Sequence, residues 1–218
     1  MRIDVWSDVV CPWCYLGKRR LEEALAGLEF ADEIEVRWRA FQLDPTATAE
    51  PRDLAQAIDR KYGPGAFAGM STRLGALGEE VGIDYRFDIA QRVTSIPALM
   101  LVDWVRETQG SVVANALHDR LFRAYFTEGA NIADPANLVD WAADVGVDRE
   151  LAGEAVATGA GRGGVTLDLE AAADRQITGV PAFVIEDKHL IPGAQDVHTL
   201  QTMITRLYGK YATGAAAG

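Results

Sequence analysis

The two cysteines of this 218-residue chain, Cys11 and Cys14, are separated only by Pro12 and Trp13. A bridge closing so short a loop removes little unfolded-state entropy, so the pair has no value as a structural staple and a reactive role gains weight. If a helix begins just after Cys11, the second sulfur comes round within reach of the first, and a short reversible disulfide becomes possible. Unpaired N–H groups and the positive end of the helix dipole then favour a thiolate at Cys11. Cys11 is accordingly the expected catalytic nucleophile, and Cys14, one turn in and more buried, the expected resolving thiol. Pro12 removes one possible N–H donor to the Cys11 sulfur, and Trp13 offers a broad apolar surface, which makes both candidate substrate-binding residues. A CxxC can also be half of a zinc site, but a closed tetrahedral site needs two more ligands. The chain has no further cysteine and only three histidines, His118, His189 and His198. No metal is expected, and the histidines are assigned surface or satisfied core positions.

The surrounding sequence must place these residues between a strand and a helix. Residues 2–6, Arg-Ile-Asp-Val-Trp, alternate polar and apolar, the pattern of a strand with one buried face. Leu16, Leu21, Ala24, Leu25 and Leu28 then recur at helical spacing, so a helix starts at the motif, with Pro12 in the first turn where its missing N–H costs nothing. Lys18, Arg19 and Arg20 on that helix are expected to be mostly solvated. Residues 33–41 alternate again and read as a second strand. From Pro45 to about Gly161 the strand signal disappears, and amphipathic helices punctuated by Gly and Pro take over. The clearest begins at Asp134-Pro135, an N-cap followed by proline, and runs to Gly146; Asp148 can cap the next. Residues 165–176 read as a helix, 180–185 and 189–191 as short strands joined around Asp187-Lys188, and about 197–208 as a last helix. The fold class is therefore α/β: a discontinuous core from 1–45 and 162–212, a large all-helical insertion over 46–161, and a frayed tail at 213–218.

Thr178-Gly179-Val180-Pro181 opens one of those strands. Proline is tolerated at a strand's first residue, and a cis bond before it would turn the Val180 backbone outward; a trans proline would merely start the strand. Trp6, Tyr125 and Phe126 are assigned to the core, as aromatics mostly are. A formal net charge of -11 repels a phosphate backbone, so nucleic acid is not an expected partner. The start of the chain has no apolar signal region, and no window approaches about 18 uninterrupted apolar residues. The expectation is a soluble, cytoplasmic protein with no membrane partner.

These residues resemble the thioredoxin-fold disulfide oxidoreductases of the DsbA type, most closely the FrnE-like subgroup. That subgroup shares its fold with 2-hydroxychromene-2-carboxylate isomerases and kappa-class glutathione transferases. The likeness is carried by Asp4-Val5-Trp6-Ser7-Asp8-Val9-Val10-Cys11-Pro12-Trp13-Cys14-Tyr15-Leu16-Gly17-Lys18-Arg19-Arg20 and Phe41-Gln42-Leu43-Asp44-Pro45. Leu121-Phe122-Arg123-Ala124-Tyr125-Phe126-Thr127-Glu128-Gly129 and Thr178-Gly179-Val180-Pro181 with Gly193-Ala194-Gln195 complete it. The resemblance implies a thioredoxin-like core split by a helical insertion, with Pro181 cis and packed beside the disulfide. It also implies that Val180 pairs with substrate backbone.

Departures from the family pattern are equally informative. The isomerase and transferase relatives carry serine where this chain has Cys11, so the intact pair favours dithiol–disulfide exchange. Residues 93–98, Val-Thr-Ser-Ile-Pro-Ala, replace a polar stretch of the subgroup, and Pro97 is expected to redirect the helix there. A second cysteine pair is absent, which excludes an intramolecular relay. The function expected is a protein-disulfide oxidoreductase or isomerase acting on a disulfide-containing protein or small molecule as a monomer or homodimer. No bound cofactor is expected, and a low-molecular-weight thiol such as glutathione is the candidate electron donor. The alternatives are a thiol-dependent isomerase or transferase of an aromatic substrate, and a chaperone-like binding module.

Overall fold

Strand alternation and helix caps divide the chain into fifteen main elements, described for residues 1–214 by a computed structural model. In order they are β1 (Arg2–Ser7), α1 (Pro12–Ala26), β2 (Glu35–Ala40), β3 (Arg52–Asp53), α2 (Leu54–Tyr62), α3 (Ala66–Glu79) and β4 (Gln91–Arg92). There follow α4 (Ile96–Gln109), α5 (Ser111–Phe126), α6 (Pro135–Asp144), α7 (Arg149–Thr158), α8 (Arg162–Asp174), β5 (Ala182–Ile185), β6 (His189–Pro192) and α9 (Val197–Gly214). A four-stranded sheet runs β2-β1-β5-β6, with β1 parallel to β2 and the other two pairings antiparallel. The turn between β5 and β6 holds Glu186 and Asp187 at φ 52° and 56°, as a tight hairpin turn requires. Among the described residues no helix is long and apolar enough to cross a membrane.

Period-two alternation sends Ile3 and Val5 to one face of the sheet, where they pack with Leu21 of α1, Phe183 of β5 and Leu200 and Ile204 of α9. Trp6 points to the opposite face with Ala172 of α8, Ile177, Ala182 and Val184. Both faces of β1 are thus covered, which corrects the expectation of a single buried face. Asp4, whose polarity suggested solvent, is 1% exposed. Its carboxylate accepts from Arg2 Nε at 2.7 Å and from Arg39 Nε at 2.8 Å, so burial is compensated by two charge-assisted bonds.

The segment between β2 and β5 is helical except for one two-residue antiparallel pair, β3 with β4. That pair is too short to show alternation in sequence, which is why an all-helical insertion was the natural expectation. Capping falls where side chains predict it. Asp134 accepts from the N–H groups of Ala136 and Asn137 at the start of α6, and Asp148 from Leu151 at the start of α7. Gly161, at φ 84°, brings the start of α8 against α4 so closely that a Cβ would lie 2.1 Å from the Met100 carbonyl oxygen. α9 continues to Gly214, past the expected end near Tyr208. The expected fraying of 213–218 otherwise falls outside the described residues.

α8 is fastened to the sheet by one buried carboxylate. Asp168 accepts from Ala40 N and from Arg39 Nη1, each at 2.9 Å, while its backbone carbonyl accepts from Trp6 Nε1 at 2.9 Å. Asp168→Ala should therefore leave the buried Ala40 N–H unpaired and take from the half-buried Arg39 guanidinium one of its two carboxylates, lowering unfolding free energy by about 3 kcal/mol in urea denaturation. Asp168→Asn, which keeps an acceptor for Ala40 N–H, should lose less.

Candidate active site

A tight turn delivers the motif from β1 to α1. Cys11 N–H donates to the Asp8 carbonyl at 2.9 Å, closing Asp8-Val9-Val10-Cys11, and Val10 N–H donates to Asp8 Oδ1 at 3.3 Å. An aspartate opening a turn and accepting from the residue two positions on is a local device that the sequence permits anywhere. Here it is also tied to distant chain. Asp8 Oδ2 accepts from Leu43 N–H at 2.8 Å, and Ser95 donates to the same carboxylate. Burial nevertheless pushes the Asp8 carboxyl up to about 6, against the opposing pull of those hydrogen bonds. Ser95 sits at the N-cap of α4 and Pro97 in its first turn, so Pro97 starts that helix instead of redirecting it.

Cys11 is the N-cap residue of α1, in extended conformation, and its side chain makes no capping bond. The sulfur is therefore left for other partners: the Cys11 thiol donates to the Val180 carbonyl oxygen at 3.6 Å. The Val180–Pro181 peptide bond is cis. Cys11 is 3% exposed and Cys14 0%, and both cysteines are unbridged. Burial pushes the Cys14 thiol well up, and its hydrogen bond to Cys11 and the negative charge at Cys11 push it further. The two sulfurs are consequently inequivalent: Cys14 holds its proton while a charge resides on Cys11.

Helix α1 and the Val180–Pro181 turn touch through a glycine. A Cβ on Gly17 would lie 2.9 Å from Pro181 Cγ and 3.5 Å from both Ala194 Cβ and Phe183 Cζ. One turn on, Arg20 Nη1 donates to the Ala194 carbonyl at 3.0 Å, so the loop at 193–195 is held to the same helix. The roof over the motif comes from the segment between β2 and β5. Tyr85 donates its hydroxyl to the Pro12 carbonyl at 2.5 Å and packs edge-on to Tyr15, with ring centroids 6.0 Å apart. Burial, then the charge at Cys11, raises the Tyr85 phenol and keeps it a donor. The Arg73 guanidinium stands 5.3 Å from the Trp13 ring centroid.

The expected site residues Cys11, Pro12, Trp13, Cys14, Val180 and Pro181 are thus brought together. Gly17, Asp8, Arg73 and Tyr85 were not singled out; a glycine inside a helical run was the one signal available for Gly17. Trp6, Tyr125 and Phe126 are core residues as expected. Two other expectations need correction. Lys18 is buried, its ammonium between Glu22, Asp119 at 3.4 Å and the Trp38 ring, because its position on α1 faces α5. His118 takes a core position, as allowed, but not a satisfied one: Nδ1 lacks a partner among the described residues. Burial, then the charge of Lys18, pushes it well down, so it is neutral.

Two outcomes test this geometry. Gly→Ala within a helix normally stabilises by about 1 kcal/mol. Gly17→Ala should reverse that sign, costing about 1 to 2 kcal/mol in denaturant melts, because a proline ring cannot swing aside. Asp8 carries the opposite pH dependence from most carboxylates. Its folded pKa lies above the unfolded value, so its contribution is fully present below about pH 4 and is lost as pH rises to about 6 and beyond. Relative to Asp8→Asn, the wild type should lose up to about 3 kcal/mol between pH 4 and 7, read as a divergence of urea midpoints.

Comparison with known proteins agrees with this geometry. The Bacillus subtilis (strain 168) protein YwbO is 29% identical over 196 residues, spanning 89% of this chain and 90% of that protein. The crystal structure of a probable DsbA oxidoreductase from Streptomyces coelicolor superposes with a TM-score of 0.88 at 32% identity, covering 96% of this chain and 90% of that one. The cytosolic disulfide reductase DsbM from Pseudomonas aeruginosa, solved with GSH, shares the fold: TM-score 0.67, 17% identity, 95% and 98% covered. Residues 2–205 match the model of the DSBA-like thioredoxin domain. Because that match takes in every element that builds the thiol site, from β1 into α9, the chain belongs to the DSBA-like thioredoxin domain family.

Proposed function

We propose that this protein is a thiol–disulfide oxidoreductase in which Cys11 attacks and Cys14 resolves. The observation that carries the reading is the inequivalence of the two sulfurs: Cys11 at a helix start, and Cys14 fully buried and held protonated by the charge beside it. In the first step the Cys11 thiolate attacks a substrate disulfide, forming a mixed disulfide and releasing one half as thiolate, which takes a proton from solvent. In the second, Cys14 attacks the Cys11 sulfur, the Cys11–substrate S–S bond breaks, and the proton lost by Cys14 passes through solvent to the departing thiolate. Two electrons pass to the substrate, and the Cys11–Cys14 disulfide remains. A low-molecular-weight thiol such as glutathione would return the pair to the dithiol by the same exchange in reverse.

The substrate disulfide belongs to a protein or a small molecule and arrives over Pro12 and Trp13, with its backbone or an equivalent polar group at Val180. The Val180 carbonyl already accepts from the Cys11 thiol, so a bound chain would reach the sulfur it reacts with. Reduction in the cytoplasm is the direction favoured, since thiols are kept reduced there. In an insulin-disulfide reduction assay Cys11→Ser should abolish turnover. Cys14→Ser should stall as a mixed disulfide visible by mass as a covalent adduct at Cys11. Wild-type rates in both variants would remove the proposal.

A further inference from the structure

Four cationic side chains flank the redox motif, and three are already engaged. Lys18 and Arg19 both pair with Glu22 and Asp119, and Arg20 donates to the Ala194 carbonyl. Arg73 differs. It is exposed on α3, its guanidinium lies 5.3 Å from the Trp13 ring centroid, and it has no carboxylate partner among the described residues. Stacking on an indole uses the flat face of a guanidinium and leaves the N–H donors at its edge for another group. In a chain of net charge -11, this is an unpaired positive charge seated on one of the two residues between the cysteines.

We propose that Arg73, seated on Trp13, is a specificity-determining residue that selects disulfides carrying a carboxylate close to the sulfurs. The inference rests on the reading of Cys11 as the attacking thiol. A carboxylate presents two oxygens to the forked edge of a guanidinium and forms charge-assisted bonds there, whereas an ammonium at the same place is repelled. The free flank of the Trp13 ring accepts the methylenes that join such a carboxylate to its sulfur. The exchange itself is unaltered: the Cys11 thiolate forms one S–S bond as the substrate's own S–S bond breaks, and one thiolate departs. Arg73 acts on which disulfide is held, not on the electrons that move.

The test uses the Cys14→Ser protein, in which exchange stops at the mixed disulfide, and follows adduct formation at Cys11 by mass spectrometry. Three small disulfides serve as probes: 3,3′-dithiodipropionate (anionic), bis(2-hydroxyethyl) disulfide (neutral) and cystamine (cationic). Comparing each variant with its parent cancels the intrinsic reactivity of the probes. Arg73→Gln should lower the dithiodipropionate-to-cystamine rate ratio about fivefold, the effect of about 1 kcal/mol from an exposed ion pair, and Arg73→Glu should lower it further. Cystine peptides flanked by Glu or by Lys identify the source of the carboxylate. Selection among the small disulfides alone assigns it to a low-molecular-weight substrate, and selection among the peptides assigns it to a protein segment. A ratio unmoved by Arg73→Glu in both series overturns the proposal. Failure of Cys11 to couple even to the neutral disulfide would instead overturn the underlying reading of Cys11.

Discussion

Two identical thiols lie one helical turn apart, and useful exchange requires that one ionise while the other stays protonated. Position on α1 supplies the difference: Cys11 is the N-cap residue, and Cys14 stands inside the first turn with no exposed surface. Both belong to the same apolar cluster as Leu117, Leu121, Phe122 and Phe126 of α5, so the helices inserted between β2 and β5 seal the pair from water. Charge on Cys11 raises the cost of charge on Cys14, which is the order of ionisation that the proposed exchange needs. The rest of the site serves to keep Cys11 at the boundary of that cluster. The Asp8 turn sets where α1 begins, Tyr85 holds the Pro12 carbonyl from above, and Gly17 lets the Pro181 ring close against the helix.

The features legible in the sequence are those whose physical cause is local. Asp134 and Asp148 cap the helices they precede because a cap needs only its own next few N–H groups. Pro12 after Cys11 signals a helix start for the same reason, and the spacing of Cys11 and Cys14 singles them out as the candidate pair. Asp4 and Lys18 were misjudged because polar side chains read as exposed until a tertiary partner appears. Asp4 finds Arg39 across the sheet and Lys18 finds Asp119 on α5. His118 takes a core position between Trp38 and Phe122, as the sequence allowed, but with Nδ1 unpartnered among the described residues. Arg73 on α3 and Tyr85 in the loop after it lie some 60 to 70 positions beyond the motif; an amphipathic pattern fixes that α3 is helical but not where it or its loop docks. Val180 and Pro181 were found through resemblance, since their own residues left two conformations open.

The buried carboxylates divide the labour between scaffold and site. Asp4 and Asp168 are matched by Arg39 and fasten the sheet to α8. Among the described residues Asp8 has no cation on it; backbone N–H groups and Ser95 hold it, and burial raises its pKa to about 6. A fully buried carboxylate with its pKa raised in this way costs stability when it ionises at neutral pH. Its place directly before the motif fits the pattern in which local cost is carried where geometry must be specific.

The pairing of β1 has a consequence for the order in which this site comes into being. One neighbour, β2, follows within about thirty residues, while the other, β5, meets it in the register Ile3 to Ile185. On the ribosome, the segment bearing the cysteines is therefore made long before the strand that screens it, and its sheet cannot be completed until nearly the whole insertion has been synthesised. Such long-range pairing gives a high contact order and a correspondingly slow search for the native topology. During that interval the two thiols lack both the Val180 carbonyl and the burial that raises Cys14. The inequivalence of the two sulfurs is thus acquired late in folding, by a nascent chain whose cysteines start out as ordinary equals.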